Sequence, residues 1–311
     1  MWPTKKLCSF AGQFLYFPGL ITVMIHMKTL LLLLPTALSV FTISCQSSAG
    51  KAETPVMAVT DTARPKVIAP ALADTFIDAS AILAKTQIPV LCYHQIREWR
   101  PGDSKSAKDF IVPPAVFRSQ IKLLADSGYH TILPDDLYAY LTKGVPLPPK
   151  PVMLTYDDGD ADQYNIAASE MTKYGFRGVY FVMTVSLGRS IYMTKEQVRK
   201  LSDEGNVIGS HTWNHQDVRH YTDADWDKQL TASAKQLEEI TGKPVKYFAY
   251  PFGAWNKDAL PALKKRNIAA AFQLSTKMDP NDPLHTIRRM IVPGSWSAPV
   301  MLKAMKRTFK G

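Results

Sequence analysis

Short apolar segments alternate with amphipathic segments from about residue 87 onward. Eight of the apolar segments are rich in β-branched and aromatic residues and predict strands: 88–94, 130–133, 152–157, 178–183, 206–211, 247–251, 268–274 and 286–292. Most of them lack a polar alternation, which predicts that both faces of the sheet are covered. The segments between them carry apolar residues at helical spacing, as at Val116, Phe117, Ile121 and Leu124. This order indicates parallel strands connected by helices, either as a doubly wound sheet or as a (β/α) barrel.

The composition is that of an ordinary globular protein. The chain has 311 residues, of which 46% are hydrophobic and 21% charged, and this excludes a disordered chain, a collagen and a coiled coil. Thirty-seven basic and 27 acidic residues give a net charge of +10. The basic residues form no block, so we expect no nucleic-acid partner. Three cysteines, Cys8, Cys45 and Cys92, are too few for a disulfide framework or a four-cysteine zinc site.

Residues 27–45 have the layout of a secretory signal. One lysine precedes a run of leucines, and small residues lead to Cys45, as in a bacterial lipoprotein cleavage box. An uncleaved membrane anchor is the alternative, but the apolar run 29–43 is shorter than the ~20 residues that a bilayer requires. We therefore expect an exported protein, held in the cell envelope by lipid on Cys45, in the periplasm or at the cell surface.

This leader divides the chain into three predicted parts. Residues 1–45 form the leader, and Met27 is the expected natural start within it. Residues 46–85 are rich in Ala, Thr, Pro and Ser, a composition that favours a flexible tether. Residues 86–311 carry the alternating segments and predict one folded domain.

Chemically active side chains follow the predicted strands. The first strand ends at Tyr93-His94, the third at Asp157-Asp158-Gly159, the fifth at His211 to His215, and the sixth at Tyr250 to Gly253. Because the carboxyl ends of parallel strands meet at one edge of the sheet, these groups are expected to share a site.

Two histidines and one carboxylate with an open fourth position are a usual catalytic zinc site. His211 and His215 can reach one ion, and a neighbouring strand end supplies Asp157 and Asp158. Adjacent strand residues point to opposite faces, so the two aspartates are expected to have different roles. Taken singly, Asp158 is better explained as a helix cap and His94 as a core histidine. The combination favours a metal site.

The segments Thr-Tyr-Asp-Asp-Gly (155–159) and His-Thr-Trp-Asn-His (211–215) resemble the first two motifs of the polysaccharide deacetylases, the NodB homology group or carbohydrate esterase family 4. The resemblance spans about residues 86–311. Val-Leu-Cys-Tyr-His (90–94), Gly-Tyr-His-Thr-Ile (128–132) and Leu-Pro-Pro-Lys-Pro (147–151) resemble the exported poly-N-acetylglucosamine deacetylases. The resemblance implies a distorted (β/α)7 barrel. It also implies hydrolysis of N-acetyl groups of a polysaccharide, poly-β-1,6-N-acetylglucosamine being favoured, with a divalent metal, Zn before Co, Ni or Mn.

The same resemblance implies roles for single residues. Asp157 would be the general base, and Asp158, His211 and His215 would hold the metal. His94 would be the acid, with His285 as its rival, and the backbone N–H of Phe252 would bind the oxyanion. His94 is preferred because His285 precedes a strand rather than ending one. Residues expected to contact substrate are Trp213, Tyr250, Pro251 and Trp255.

The turn Pro251-Phe252-Gly253 matches the third motif of the family, but one family residue is missing just before it. Most members have an arginine there that fixes the catalytic aspartate, whereas this chain has Ala249, and Phe252 replaces a tyrosine. Arg288 or Arg289 is a possible substitute, but we expect both of them at the surface.

Several other functions remain open. A glycosidase with paired carboxylates would leave the histidines without a role. A catalytically impaired sugar-binding lipoprotein on the same fold stays possible because the family arginine is missing. A non-haem iron oxygenase also uses two histidines and a carboxylate, usually on an antiparallel β scaffold. Within the deacetylases, peptidoglycan and chitooligosaccharides are the alternative substrates.

Overall fold

A computed structural model describes residues 78–274 and 277–310. The strands are β1 (Val90–Tyr93), β2 (His130–Thr131), β3 (Pro151–Asp158), β4 (Val179–Val182), β5 (Val207–Ser210), β6 (Tyr247–Ala249), β7 (Ala270–Gln273), β8 (Ile287–Arg288) and β9 (Met290–Ile291). The α-helices are α1 (Ala79–Leu83), α2 (Pro114–Asp126), α3 (Pro134–Lys143), α4 (Ser169–Thr172), α5 (Lys195–Asp203), α6 (Asp223–Trp226), α7 (Ala232–Thr241), α8 (Ala259–Lys265) and α9 (Ala298–Thr308). Two π-helical segments, Gln163–Ala168 and Asp227–Thr231, precede α4 and α7.

The strands form one parallel sheet that nearly closes into a barrel. The order is β8-β7-β6-β5-β4-β3-β1-β9, and β2 pairs with β3 at the side of this path. β8 pairs with β7, and β9 pairs with β1. Because β8 and β9 are separated only by Arg289, the last predicted strand joins both edges of the sheet. This arrangement confirms the predicted distorted (β/α)7 barrel.

Each of the eight predicted strand segments coincides with an observed strand. Only the last one is divided, because its two halves pair with different neighbours. Gly144 and Gly205 follow the ends of α3 and α5, with φ of +70° and +87°. Glycine adopts this left-handed conformation without the steric cost of a Cβ.

The alternation of side chains along β3 determines what faces the barrel interior. Met153 belongs to the inner apolar cluster with Val179 and Phe181, whereas Leu154 and Tyr156 pack in the outer cluster with the helices. Side chains two residues apart share a face of a strand. Asp157 therefore points into the barrel at its carboxyl end, on the same face as Met153.

The predicted leader, including Cys45, lies outside the described residues, as does most of the predicted tether. Within the tether's range, α1 is capped by the Asp78 carboxylate, which accepts from the Ser80 N–H at 2.9 Å. Ile82 of α1 is buried in the inner cluster. In residues 78–274 and 277–310, no helix combines the length and the apolar composition needed to cross a bilayer.

Candidate metal and active site

Strained backbone conformations concentrate at the carboxyl ends of β3, β5 and β6. Six non-glycine residues of the described chain have positive φ, and four of them stand there: Asp158 (+77°), Thr212 (+69°), His215 (+64°) and Phe252 (+60°). Such conformations cost of order 1–3 kcal/mol each and persist where the surrounding structure enforces them. Their concentration marks this end of the barrel as the candidate site.

Asp158, His211 and His215 converge there on one point. The Nε2 atoms of His211 and His215 lie 3.5 and 3.6 Å from Oδ1 of Asp158. All three ligand atoms lie within 4.8 Å of one another. The structure thus brings together the three residues that the sequence predicts as metal ligands.

His211 is oriented by the neighbouring strand. Its Nδ1 lies 2.8 Å from the carbonyl oxygen of Ala249 in β6. A carbonyl only accepts hydrogen bonds, so Nδ1 carries the proton and Nε2 presents its lone pair toward Asp158. Ring orientation by a carbonyl bond of this kind is usual for histidines that ligate metals.

The donor set fits a divalent cation. Oδ1 of Asp158 is buried and has no hydrogen-bond partner, although an orphaned buried carboxylate oxygen is costly. Burial lowers the pKa of His211 and of His215 to about 4, so both rings are neutral at pH 7. Two neutral imidazoles and one carboxylate leave a fourth position open, as zinc sites with catalytic roles do.

The affinity for a divalent cation should depend on pH through Asp158. Burial and the charge of Asp157 raise the pKa of Asp158 to about 7. Below that pH the carboxyl is protonated and must lose its proton to bind metal, while both histidines stay neutral down to about 4. We expect the Kd for Zn²⁺ to rise about tenfold per pH unit between pH 7 and pH 5 and to flatten above pH 7. Zinc titrations against a competing chelator at pH 5.5, 6.5 and 8 measure this, and a Kd independent of pH would contradict it.

Asp157 is held by a buried arginine. Nη1 and Nη2 of Arg289 donate to Oδ1 and Oδ2 of Asp157 at 2.6 and 2.7 Å, and Nη1 also lies 3.2 Å from Oγ1 of Thr155. The Arg289 side chain is 0% exposed. The expectation that Arg289 lies at the surface is therefore wrong. The break between β8 and β9 directs it into the barrel, and it occupies the role left open by Ala249.

This pair determines the charge of Asp157. Burial alone would raise the pKa of Asp157, but the charge of Arg289 and its paired hydrogen bonds lower it well below its usual range. Asp157 is thus an anion throughout the neutral range. Arg288, the residue before Arg289, is half-buried and instead donates to Oε1 of Gln87 at 2.6 Å.

His94 and Cys92 stand against the other side of Asp157. Nε2 of His94 lies 3.9 Å from Oδ2 of Asp157, and the Cys92 thiol donates to the same oxygen at 3.6 Å. Burial lowers the pKa of His94 to about 4 and raises the pKa of Cys92. Although Cys92, His94 and Asp157 also form a compact group, Arg289 already neutralises its carboxylate, which makes a second cation unfavourable there.

His285, the rival acid, is remote from this group. Its Nδ1 lies 2.8 Å from Oδ1 of Asp282, and its Nε2 lies 2.8 Å from the carbonyl of Ile268, at the amino end of β7. Both ring nitrogens are engaged at the end of the barrel opposite to Asp157. This placement favours His94 over His285 as the acid.

The four residues predicted to contact substrate divide into two pairs. Tyr250 and Pro251 are buried, and the Tyr250 hydroxyl donates to the carbonyl of His285. Contact of these two residues with substrate stays a prediction. Trp213 and Trp255 are half-buried. Nζ of Lys228 lies 4.3 Å from the centre of the Trp213 ring. The indole N–H of Trp255 donates to Oε1 of Gln273 at 2.7 Å.

Sequence reasoning missed two residues that hold the site together. One is Cys92, and the other is Gln163, whose side-chain amide donates to the carbonyls of His94 and Asp157. Cys92 lies within the segment 90–94 but was given no role there, and Gln163 belongs to none of the quoted segments. Only the pairing of β1 with β3 brings the two carbonyls within reach of the Gln163 amide.

Known proteins that are similar to this chain are polysaccharide deacetylases. Residues 144–292 match the polysaccharide deacetylase family. YxkH of Bacillus subtilis is 28% identical over 62% of this chain and 65% of its own length. The poly-β-1,6-N-acetyl-D-glucosamine N-deacetylase of Staphylococcus aureus is 26% identical over 65% of this chain and 77% of its own. The structure of the Streptococcus pyogenes deacetylase PplD superposes with a TM-score of 0.66 at 24% identity, over 72% of this chain and 99% of that one.

The chain therefore carries a polysaccharide deacetylase domain of the NodB homology type, carbohydrate esterase family 4. Members of this family are metal-dependent hydrolases that act on N-acetyl groups. The family predicted from the two motifs is confirmed.

Proposed function

We propose that this protein removes acetyl groups from an N-acetylglucosamine polymer, with poly-β-1,6-N-acetylglucosamine as the favoured substrate. The observation that carries the proposal is the juxtaposition of two groups. The Asp158–His211–His215 cluster can hold a cation, and next to it Asp157 is kept ionised by Arg289. A glycosidase would have no use for the cluster.

Asp158, His211 and His215 would hold the metal, with Zn²⁺ proposed first because imidazole and carboxylate suit it. The chemistry that a bound divalent cation supplies is polarisation of the acetyl carbonyl and activation of water at neutral pH. Activation is needed because an amide is a poor electrophile.

Asp157 is the proposed general base. It stays ionised at neutral pH, and Arg289 fixes its carboxylate at two points. Its Oδ2 lies 3.9 Å from Nε2 of His211, so it borders the cluster where the attacking water would stand.

His94 is the proposed acid that protonates the departing amine. Because its pKa is about 4, the ring is neutral at pH 7 and must gain a proton during the reaction. Oδ2 of Asp157 lies 3.9 Å from Nε2, so the proton that Asp157 takes from the attacking water would reach His94 through one bridging water. The cycle then returns both groups to their starting states.

The backbone N–H of Phe252 is the proposed oxyanion donor. Phe252 follows β6 in the left-handed conformation, and its ring packs edge-on against His215 at 4.4 Å. This contact places its peptide beside a proposed metal ligand.

Acetate release from different polymers tests which one is the substrate. Purified zinc-loaded protein is incubated with β-1,6-linked N-acetylglucosamine oligomers, chitooligosaccharides and peptidoglycan fragments. We expect release mainly from the β-1,6-linked oligomers, because the Staphylococcus aureus relative is a poly-β-1,6-N-acetyl-D-glucosamine N-deacetylase. Faster release from another polymer would keep the reaction and change the substrate, and no release from any would contradict the proposed activity.

Export and lipid attachment on Cys45 are proposed from the leader sequence alone. Such an anchor would hold the domain in the cell envelope, close to an exported polymer. Mass spectrometry of the membrane-fraction protein tests it, because a mature chain that retains residues before Cys45 would contradict cleavage there.

A further inference from the structure

Two exposed aromatic side chains lie on the loop between β1 and α2. Trp99 is 39% exposed and Phe110 is 40% exposed, although large apolar side chains cost free energy in water. Neither has a role in the proposed reaction. Two such rings on one loop beside an active site form a patch that requires an explanation.

Phe110 connects this loop to the proposed acid. Its ring packs edge-on against the ring of His94, with 5.0 Å between the centroids. The indole N–H of Trp99 donates to the carbonyl of Ile111, the next residue, at 2.8 Å. The two aromatic residues are thus fixed to the same short segment, which borders the site on its His94 side.

Hydrogen bonds and an ion pair fix the conformation of the loop. The Gln95 N–H donates to the Phe110 carbonyl at 3.0 Å, and the Val112 N–H donates to the Gln95 carbonyl at 2.9 Å. Arg97 forms a bidentate pair with Asp103, at 2.8 and 2.9 Å. Nζ of Lys108 lies over one face of the Trp99 ring, 4.9 Å from its centre, and the residue is still 39% exposed. A preorganised loop of this kind loses little entropy on binding a ligand.

We propose that Trp99 and Phe110 form a platform on which a pyranose ring of the polymer stacks, next to the sugar that is deacetylated. This inference rests on the proposed function and adds a subsite to it. The C–H face of an uncharged sugar suits an aromatic face, which is negative at its centre. Because the stacked sugar is a neighbour of the one that is deacetylated, the platform recognises a chain of sugars and not a single sugar.

The charge of the loop favours this occupant over a lipid surface. Residues 97–109 contain four basic and three acidic side chains, a difference of +1. One basic group, Arg97, is already paired with Asp103. A surface that binds anionic lipid headgroups requires an excess of unpaired Lys and Arg, whereas an acetylated polymer carries no charge.

The test is sugar binding to protein treated with a chelator, which separates binding from turnover. Calorimetry measures the Kd of a β-1,6-linked N-acetylglucosamine pentamer and of the monosaccharide. We expect Trp99→Ala and Phe110→Ala each to weaken pentamer binding about tenfold and to leave the monosaccharide unaffected. Phe110→Leu should behave as Phe110→Ala, because leucine keeps the apolar surface and loses the ring. Val300→Ala, at an exposed apolar residue of α9, is the matched control and should change nothing.

Four outcomes would overturn the platform: no pentamer binding by the unaltered protein, pentamer binding unchanged in both alanine variants, equal loss for the monosaccharide, or loss only of binding to phosphatidylglycerol vesicles. Acetate release distinguishes this inference from the proposed activity. If Phe110→Ala weakens pentamer binding while the unaltered zinc-loaded protein releases no acetate, the platform stands and the activity fails.

Discussion

Asp157→Asn should reduce acetate release about 10²- to 10⁴-fold while one zinc ion per chain is still bound. An asparagine cannot take a proton from water, whereas the three proposed metal ligands are unaltered. The change also removes the counter-charge of a fully buried arginine, which costs about 3–5 kcal/mol of folding stability. Activity, zinc content and thermal unfolding are therefore measured on the same preparation.

Asp282→Asn is the matched control for this destabilisation. Asp282 is also buried and paired, with His285 and with Nζ of Lys264 at 2.7 Å, but it lies at the opposite end of the barrel. This variant should lose stability and keep its activity. If Asp157→Asn retained activity, or if both variants lost activity equally, the assignment of Asp157 as base would be wrong.

Arg289→Gln should lower the free energy of unfolding by about 3–5 kcal/mol, because it leaves the Asp157 carboxylate buried and unpaired. Activity should fall as well, since an unpaired Asp157 loses both its fixed orientation and the charge that keeps it ionised. Thermal or denaturant unfolding of the metal-free protein measures the stability. Arg289→Lys should recover part of both losses, because an ammonium restores the charge without the bidentate geometry.

Arg288→Gln is the control on the adjacent residue. It removes hydrogen bonds of a half-buried arginine to Gln87 and Thr308 and should cost about 1 kcal/mol with activity unchanged. The double variant Asp157→Asn, Arg289→Gln should be less destabilised than the sum of the single variants, because each single variant leaves one buried charge unpaired and the double variant leaves none. Additive losses would show that the two side chains do not act as a pair.

The fold was predictable because its signals are local. Each strand is a short apolar segment, and each of the two motifs, 155–159 and 211–215, is contained within five consecutive positions. Strand ends of a parallel sheet meet at one edge, so the convergence of these motifs followed from the order of the strands.

The remainder of the site could not be predicted, because it depends on whether a side chain points into the barrel or away from it. Period-two alternation implies that one of Arg288 and Arg289 points inward, but the break between β8 and β9 decides which. The partner of Arg289 lies 132 positions away in the chain, so no local pattern reveals the pair. Tyr250 was expected to contact substrate because it follows a strand, and the sequence does not show that its ring packs in the core with Phe248. Trp99 and Phe110 lie in an irregular loop that has no periodicity to interpret.

The most direct test of the central claim is acetate release from β-1,6-linked N-acetylglucosamine oligomers by protein stripped with a chelator and titrated with Zn²⁺. We predict no release from the stripped protein and a recovery that saturates at one zinc per chain. An Asp158→Asn variant should show no recovery over the same range. Equal acetate release with and without bound metal would contradict the account.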